Sequence, residues 1–373
     1  MNHEHTNPEL VFLQTPNTND IYRKELRERL PERVINFIED WVDLDDVGNI
    51  AILNTSSTLN LINFKARQEE YFADGLDCVI NLKRINDIRY VNKFLERINE
   101  NLVPNGRIIG CVETSQLRQE RVMSKYFWPL NSLYFFFDYW VKRVWPKLPY
   151  FKRFYFMLTG GRNRVISEME MYGRLYSCGF RLLDAVKADG KLFFAAEKIG
   201  EPDYNTEATY GPLIKLKRIG KNGKPIKVLK FRTMYPYSEY VQHLVYERYG
   251  LQKGGKMKND PRVNTVGRIM RKYWLDELPM LLNLLRGEVK IFGVRPISKH
   301  YFSLYPADFQ EYRKKFKPGL IPPVYVEIPK DLNDVVAIER RYLEAYERQP
   351  LLTDIRYMYR MIYNVIFKKV RSN

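Results

Sequence analysis

The sequence has no run approaching the about 18 uninterrupted apolar residues that a membrane-crossing helix needs, so an ordinary spanning segment is not expected. Cysteine is scarce. Cys78, Cys111 and Cys178 are the only three in 373 residues, and their apolar surroundings suit buried free thiols in a reducing compartment, not a disulfide framework or metal site. The opening MNHEHTNPEL has neither a basic start nor an apolar core, so no secretory signal is expected. Acids are the minority charge, 44 Asp and Glu against 61 Lys and Arg. The resulting +17 implies an acidic partner: nucleic acid, an anionic membrane or phosphorylated small molecules. No nucleic-acid-binding module accompanies the charge, so nucleic acid is not expected.

What is present argues for two cored domains, since 45% of the residues are hydrophobic and 14% aromatic. Residues 21–41 carry apolar positions at helical spacing (Ile35, Phe37, Ile38, Trp41). Short apolar runs at 50–53 and 76–82, a helix over 88–102, a turn at 104–106 and a strand at 107–112 then alternate as β and α, which favours a parallel sheet. The polar stretch 201–210 separates a first domain, residues 1–200, from a second, 201–373. Within the first, residues 126–158 interleave aromatics with Lys142, Arg143, Lys147, Lys152 and Arg153. That mixture suits a membrane–water interface, or alternatively a helical cap or protein contact surface.

The second domain opens with eight Lys or Arg and no acid between Leu213 and Met234, around an Asn222-Gly223 hairpin signal. The glycines of Lys253-Gly254-Gly255-Lys256 lack the Ser or Thr of a phosphate loop and read as a connection. Further on, Pro279 suits the first turn of a helix beginning near Asp276, with Leu278, Leu281, Leu282 and Leu285 on one apolar face. Asp276 and Glu277 then either cap that helix, or offer a nucleophile and a Mg²⁺ site for a phosphorylated substrate. Helices follow over 306–316, 334–348 and 354–369; Ile355, Met358, Tyr359, Ile362 and Ile366 share a face of the last.

Three ordered blocks carry a resemblance: KRIGKNGKPIKVLKFRTM (217–234), NDPRVNTVGRIMRKYWLDELPMLLNLLRGE (259–288) and GVRP (293–296), with KPG at 317–319 beyond them. This part of the chain resembles the bacterial sugar transferases, the monotopic polyprenyl-phosphate phosphoglycosyl transferases. The resemblance implies an α+β domain with a basic hairpin and amphipathic helices. It implies Asp276 as nucleophile towards a nucleoside-diphosphate sugar, Glu277 as its partner in holding Mg²⁺, and Lys230, Arg232, Arg262, Arg268, Arg295 and Pro296 around the substrate phosphates. A covalent sugar-phosphate enzyme would form and pass its load to a polyprenyl phosphate, initiating surface polysaccharide. By family habit the donor is a UDP-sugar and the lipid undecaprenyl phosphate. The further implied partners are a membrane surface, a second copy or polysaccharide-assembly proteins, with the chain on the cytoplasmic face of a bacterial inner membrane.

Some positions depart from the family pattern. Trp274 replaces a small hydroxyl residue, GVRP replaces GPRP, and strand-like residues 181–198 occupy the usual place of a re-entrant membrane helix. The last departure favours the alternative of a non-catalytic membrane-associated regulator; the retained Asp276-Glu277 favours the enzyme. More weakly, residues 78–112 and 173–198 resemble later strands of a methyltransferase-type Rossmann domain. The stretch from Ala51 to Phe64 has no glycine for that family's cofactor turn, so no S-adenosylmethionine is expected.

Overall fold

The computed structural model describes residues 26–28, 30–43, 49–55, 75–204, 211–249, 260–327, 329 and 331–367; the loop 253–256, most of 51–64 and the basic end from Lys368 lie outside them. The chain forms two compact units, one from residues 1–210 with 236–242, the other from 211–235 with 243–373.

The first unit is built on five strands, β1 (Ile50–Leu53), β2 (Leu76–Arg84), β3 (Leu102–Val112), β4 (Phe180–Ala188) and β5 (Lys191–Lys198), in the order β1-β2-β3-β5-β4. The first three are parallel, as the alternating pattern predicts, but β5 lies antiparallel between β3 and β4. The cause is local. Asp189 and Gly190 both take positive φ, 48° and 66°, and close a tight hairpin that leaves no chain for a parallel crossover. The turn expected at 104–106 is instead absorbed into β3. Asn105 takes φ 63° there, and the register slips from Leu76↔Leu102 to Cys78↔Arg107.

Among the described residues the longer helices beside this sheet are α1 (Glu32–Glu39), α2 (Val91–Asn101), α3 (Ser115–Lys125), α4 (Leu130–Tyr139), α5 (Pro149–Thr159) and α6 (Glu168–Ser177). Ile50 and Ile52, Cys78 and Ile80, Ile109 and Cys111 recur at every second position and cluster with Val34, Phe37 and Ile38 of α1. The alternate residues Ala51, Val79, Ile108 and Phe194 are buried too, so both faces are covered, and α2 and α6 pack against β3 and β4. All three cysteines are buried free thiols.

The second unit starts with a basic hairpin of β6 (Leu213–Ile219) and β7 (Pro225–Phe231). Asn222 and Gly223 adopt the positive φ expected at its tip, 56° and 72°. The loop nevertheless spans 220–224, because the Gly220 N–H donates to the Lys224 carbonyl at 2.8 Å and Ile219 pairs with Pro225. After it come α7 (Gln242–Tyr249), α8 (Thr265–Lys272), α9 (Met280–Leu285), the short strand β8 (Lys290–Phe292), α10 (Lys299–Ser303), α11 (Ala307–Lys314) and β9 (Gly319–Ile321). The hairpin of α12 (Leu332–Arg348) and α13 (Pro350–Phe367) completes it. Phe292, Val294, Phe309 and Tyr342 form the centre of the core, with Tyr357, Met358 and Met361 of α13 packed on it.

The apolar face of α13 is divided, Met358 lying on the core, and the leucine stripe at the acidic turn faces outward. Ile355, Tyr359 and Ile362 of α13 are exposed, and so are Leu278, Leu281, Leu282 and Leu285, the last at 83%. In α9 the inward residues are Met280 and Asn283. Asn283 explains the rotation: its side chain accepts from the Leu229 N–H and donates to the Lys227 carbonyl, both at 2.9 Å, tying the helix to β7 by its polar side. Among the described residues no helix is long and apolar enough to cross a membrane.

Candidate active site

Lys230 stands near the end of β7, the strand to which Asn283 fastens α9. Between them, Leu275–Glu277 form one 3-10 turn that the chain enters through Trp274 in a left-handed conformation, φ 55°. The α-helix itself begins only at Met280, after Pro279. Neither start takes a side-chain cap, so Asp276 and Glu277 are not spent on capping. Glu277 turns instead to the hairpin, its Oε1 2.5 Å from Lys230 Nζ, with both side chains largely buried.

Asp276 is half-buried beside this pair. Burial lifts its carboxyl above the usual range; Lys230 opposes that, Glu277 adds to it, and Arg271 opposes it. Desolvation is thus the largest influence on this carboxyl. What keeps the carboxylate workable is the pair of cations.

Arg271 was passed over in the sequence reading, and the structure places it here. It comes from the last turn of α8, and its Nε donates to Thr233 Oγ1 at 2.9 Å. Burial pushes its guanidinium down from the usual value, while Asp276 and Asp260 pull it back up. The close approach of α8 to the hairpin requires Gly267, where a Cβ would lie 2.2 Å from the Thr233 carbonyl oxygen. The available signal was the helical spacing of Arg268 and Arg271: Arg268 is exposed to solvent, and the arginine one turn on reaches inward.

The other expected phosphate ligands are distributed differently. Arg262 is buried and holds Asp260 through its guanidinium, chiefly Nε to Oδ1 at 2.9 Å and Nη2 to Oδ2 at 2.7 Å, and through its backbone N–H to Oδ1 at 3.0 Å. Arg232 ties down the entry to β6, its Nε donating to the Gly211 carbonyl at 3.0 Å. Arg295 is exposed and lies near Arg218, whose own charge is disfavoured first by burial and then by Arg295. Its backbone is firmly placed: the Arg295 carbonyl accepts from Arg313 Nη2 at 2.6 Å, and Arg313 is locked by a buried pair with Glu339 at 2.7 Å. Pro296 is buried. Thus Lys230, Asp276 and Glu277 converge with Arg271, and Arg262 stands behind them through Asp260, while Arg232 reaches the Gly211 carbonyl, Arg295 lies by Arg218 and Arg268 is exposed.

No three metal-ligating side chains converge among the described residues. Two carboxylates are still a sufficient protein share for Mg²⁺, which completes its shell with substrate phosphates and water. Asp276 and Glu277 are of the donor type that would suit such an ion, with Glu277 already paired to Lys230.

A basic hairpin against an acidic pair, in a unit that turns leucines to the outside, lies within residues 205–368, the stretch that matches the family model described as bacterial sugar transferase. This part of the chain belongs to that family. The exopolysaccharide production protein ExoY of Sinorhizobium fredii is 34% identical over 155 residues, which cover 39% of this chain and 66% of that protein. The UDP-glucose:undecaprenyl-phosphate glucose-1-phosphate transferase of Caulobacter vibrioides is 33% identical over 138 residues, 36% of this chain and 48% of that one. The undecaprenyl-phosphate galactose phosphotransferase of Salmonella typhimurium is 40% identical over 108 residues, 28% and 22% of the respective chains. The chain therefore spans less than two thirds of each of these relatives. Among solved structures, the carbon methyltransferase CurJ is similar at 11% identity and a TM-score of 0.23 over 50% of this chain and 54% of that one, a likeness too slight to bear on function.

Proposed function

We propose that the protein is a phosphoglycosyl transferase that moves a sugar 1-phosphate from a nucleoside-diphosphate sugar to a polyprenyl phosphate. The observation that carries this reading is Asp276, half-buried, uncapping, next to Glu277 and attended by Lys230 and Arg271. In the first step an Asp276 carboxylate oxygen bonds to the phosphorus that bears the sugar. The bond from that phosphorus to the bridging oxygen breaks, and the electron pair leaves on the nucleoside monophosphate. In the second, an oxygen of the lipid phosphate attacks the same phosphorus, the bond to Asp276 breaks, and a polyprenyl diphosphate sugar departs. Lys230 and Arg271 hold the charge that gathers on the phosphoryl oxygens, and neither step requires a proton to be removed from the attacking group. Mg²⁺ held by Asp276 and Glu277 would supply further neutralisation of the diphosphate.

Leu275, Leu278, Leu281, Leu282 and Leu285 are exposed around the acidic turn and give an apolar lipid a footing next to the nucleophile. Relatives named for UDP-glucose and undecaprenyl phosphate support those two substrates, and a nucleotide-sugar donor suits the cytoplasmic face of the membrane. The product would begin a surface polysaccharide. The test is intact-protein mass spectrometry after incubation with Mg²⁺ and a panel of UDP-sugars without lipid. The wild type should gain the mass of one sugar phosphate and Asp276→Asn should not. No adduct, and no nucleoside monophosphate after polyprenyl phosphate is added, would leave the non-catalytic regulator as the better account.

A further inference from the structure

Residues 126–158 of the first unit are folded with their polarity reversed relative to a globular surface. In α4 the one buried side chain is Asp138, while Leu133, Phe136 and Phe137 are exposed. The flanking Phe127 and Trp128 are 72% and 78% exposed, and in α5 Tyr150 reaches 92% and Met157 72%. This orientation is enforced from below by a buried ionic lattice. Arg118, 2% exposed, grips Asp138 through Nε to Oδ2 at 2.6 Å and Nη2 to Oδ1 at 2.9 Å. Lys142 adds a contact to Asp138 at 2.8 Å, Arg143 pairs with Glu170, and Tyr155 is buried with its hydroxyl donating to the Arg162 carbonyl at 3.2 Å.

A helix that turns its acid inward and its phenylalanines outward is suited to surroundings other than water. Charge identifies those surroundings. From residue 121 to residue 164 there are nine Lys or Arg and a single acid, Asp138, which Arg118 and Lys142 already neutralise. Lys125, Lys152 and Arg153 are exposed among the aromatics, so between residues 121 and 164 the surface offers rings and cations without an exposed carboxylate, an exposed Glu120 lying just before this stretch on α3. Aromatics with cations match the boundary of an anionic bilayer, where rings lie among headgroups and lysines meet lipid phosphate. We infer that α4, α5 and the turn between them form a membrane-docking surface of the first unit, seated in the plane of an anionic lipid leaflet. This surface belongs to the first unit and the acidic residues to the second, and the inference does not depend on the activity proposed for them.

The experiment uses the full chain carrying Leu133→Cys, labelled with a polarity-sensitive fluorophore. The three natural thiols are buried, which directs the label to the new site. Vesicles of phosphatidylcholine mixed with phosphatidylglycerol should shift the emission to the blue and shield the label from aqueous iodide; pure phosphatidylcholine should do so less, and salt should weaken the effect. In co-sedimentation, the combined Trp128→Ser, Phe136→Ser and Phe137→Ser variant should lose about tenfold or more in partitioning onto anionic vesicles, since each exchange removes exposed apolar area only. Lys152→Glu with Arg153→Glu should lower binding to anionic vesicles alone. Should the serine variant fail to fold, the label decides by itself. The inference is overturned if the label stays open to iodide with vesicles present, or if it is already shielded in lipid-free protein that elutes as an oligomer, which would assign the surface to a protein partner.

Discussion

Lys230 Nζ lies 2.5 Å from Glu277 Oε1, joining the basic hairpin to the acidic turn across 47 residues of chain. Both side chains are less than a fifth exposed, at 16% and 18%, so the pair fixes the turn rather than decorating a surface.

Replacing Lys230 by Met leaves Glu277 largely buried and unpaired. A destabilisation of about 1–3 kcal/mol is expected, together with a loss of nucleoside monophosphate release of about a hundredfold or more, because a cation facing the phosphate goes too. Urea melts and a release assay check the two effects separately; unchanged turnover would remove Lys230 from the site.

Asp276→Asn should leave stability at pH 7 equal to or above the wild type while abolishing turnover. The sign follows from the raised carboxyl pKa. With a raised folded-state value, the stability Asp276 contributes is fully present below its unfolded value of about 3.9 and is lost as pH rises through the folded value. At neutral pH the ionised group is a cost, and a neutral amide lifts it. Thermal midpoints of both proteins at pH 4 and at pH 7 test this; a clear loss for the variant at pH 7 would show that the carboxylate holds the turn.

Asn283→Leu should cost about 2–4 kcal/mol, because two β7 backbone groups, the Leu229 N–H and the Lys227 carbonyl, lose their partner and Leu adds branched bulk at a fully buried position. Since β7 carries Lys230, activity at temperatures where the variant is still folded should fall as well. Retained activity in the folded variant would uncouple α9 from the site.

Gly319→Ala should destabilise the second unit by about 3 kcal/mol, readable as a shift of the denaturation midpoint. A Cβ there would lie 2.1 Å from the Gly293 nitrogen, and the Gly319 N–H donates to the Val294 carbonyl at 2.9 Å. The KPG and GVRP stretches are thus two sides of one backbone contact. A neutral substitution would mean that the strands separate freely.

The sequence by itself carried the family resemblance and the approximate address of the expected site. The three ordered blocks put Asp276, Glu277 and Lys230 into one expected site, and local signals marked the hairpin at Asn222-Gly223 and the turn led by Pro279. Those features are local, set by φ preferences and by residues a few positions apart, and so they are legible along the chain.

Tertiary structure alone decided which way each face turns. Helical spacing marks Leu278, Leu281 and Leu282 as one stripe but says nothing of the medium the stripe meets; Asn283, bonded to a strand more than fifty residues away, turns it outward. Arg268 and Arg271 are equivalent by composition, and only the seat of α8 on Thr233 selects Arg271 for Asp276. Asp138 similarly looks like an obstacle to membrane contact until Arg118 buries it and leaves Phe136 and Phe137 outside. In each case the deciding partner is distant in sequence, and the energy that sets the choice, burial of a charge or of a backbone polar group, exists only once the chain is folded.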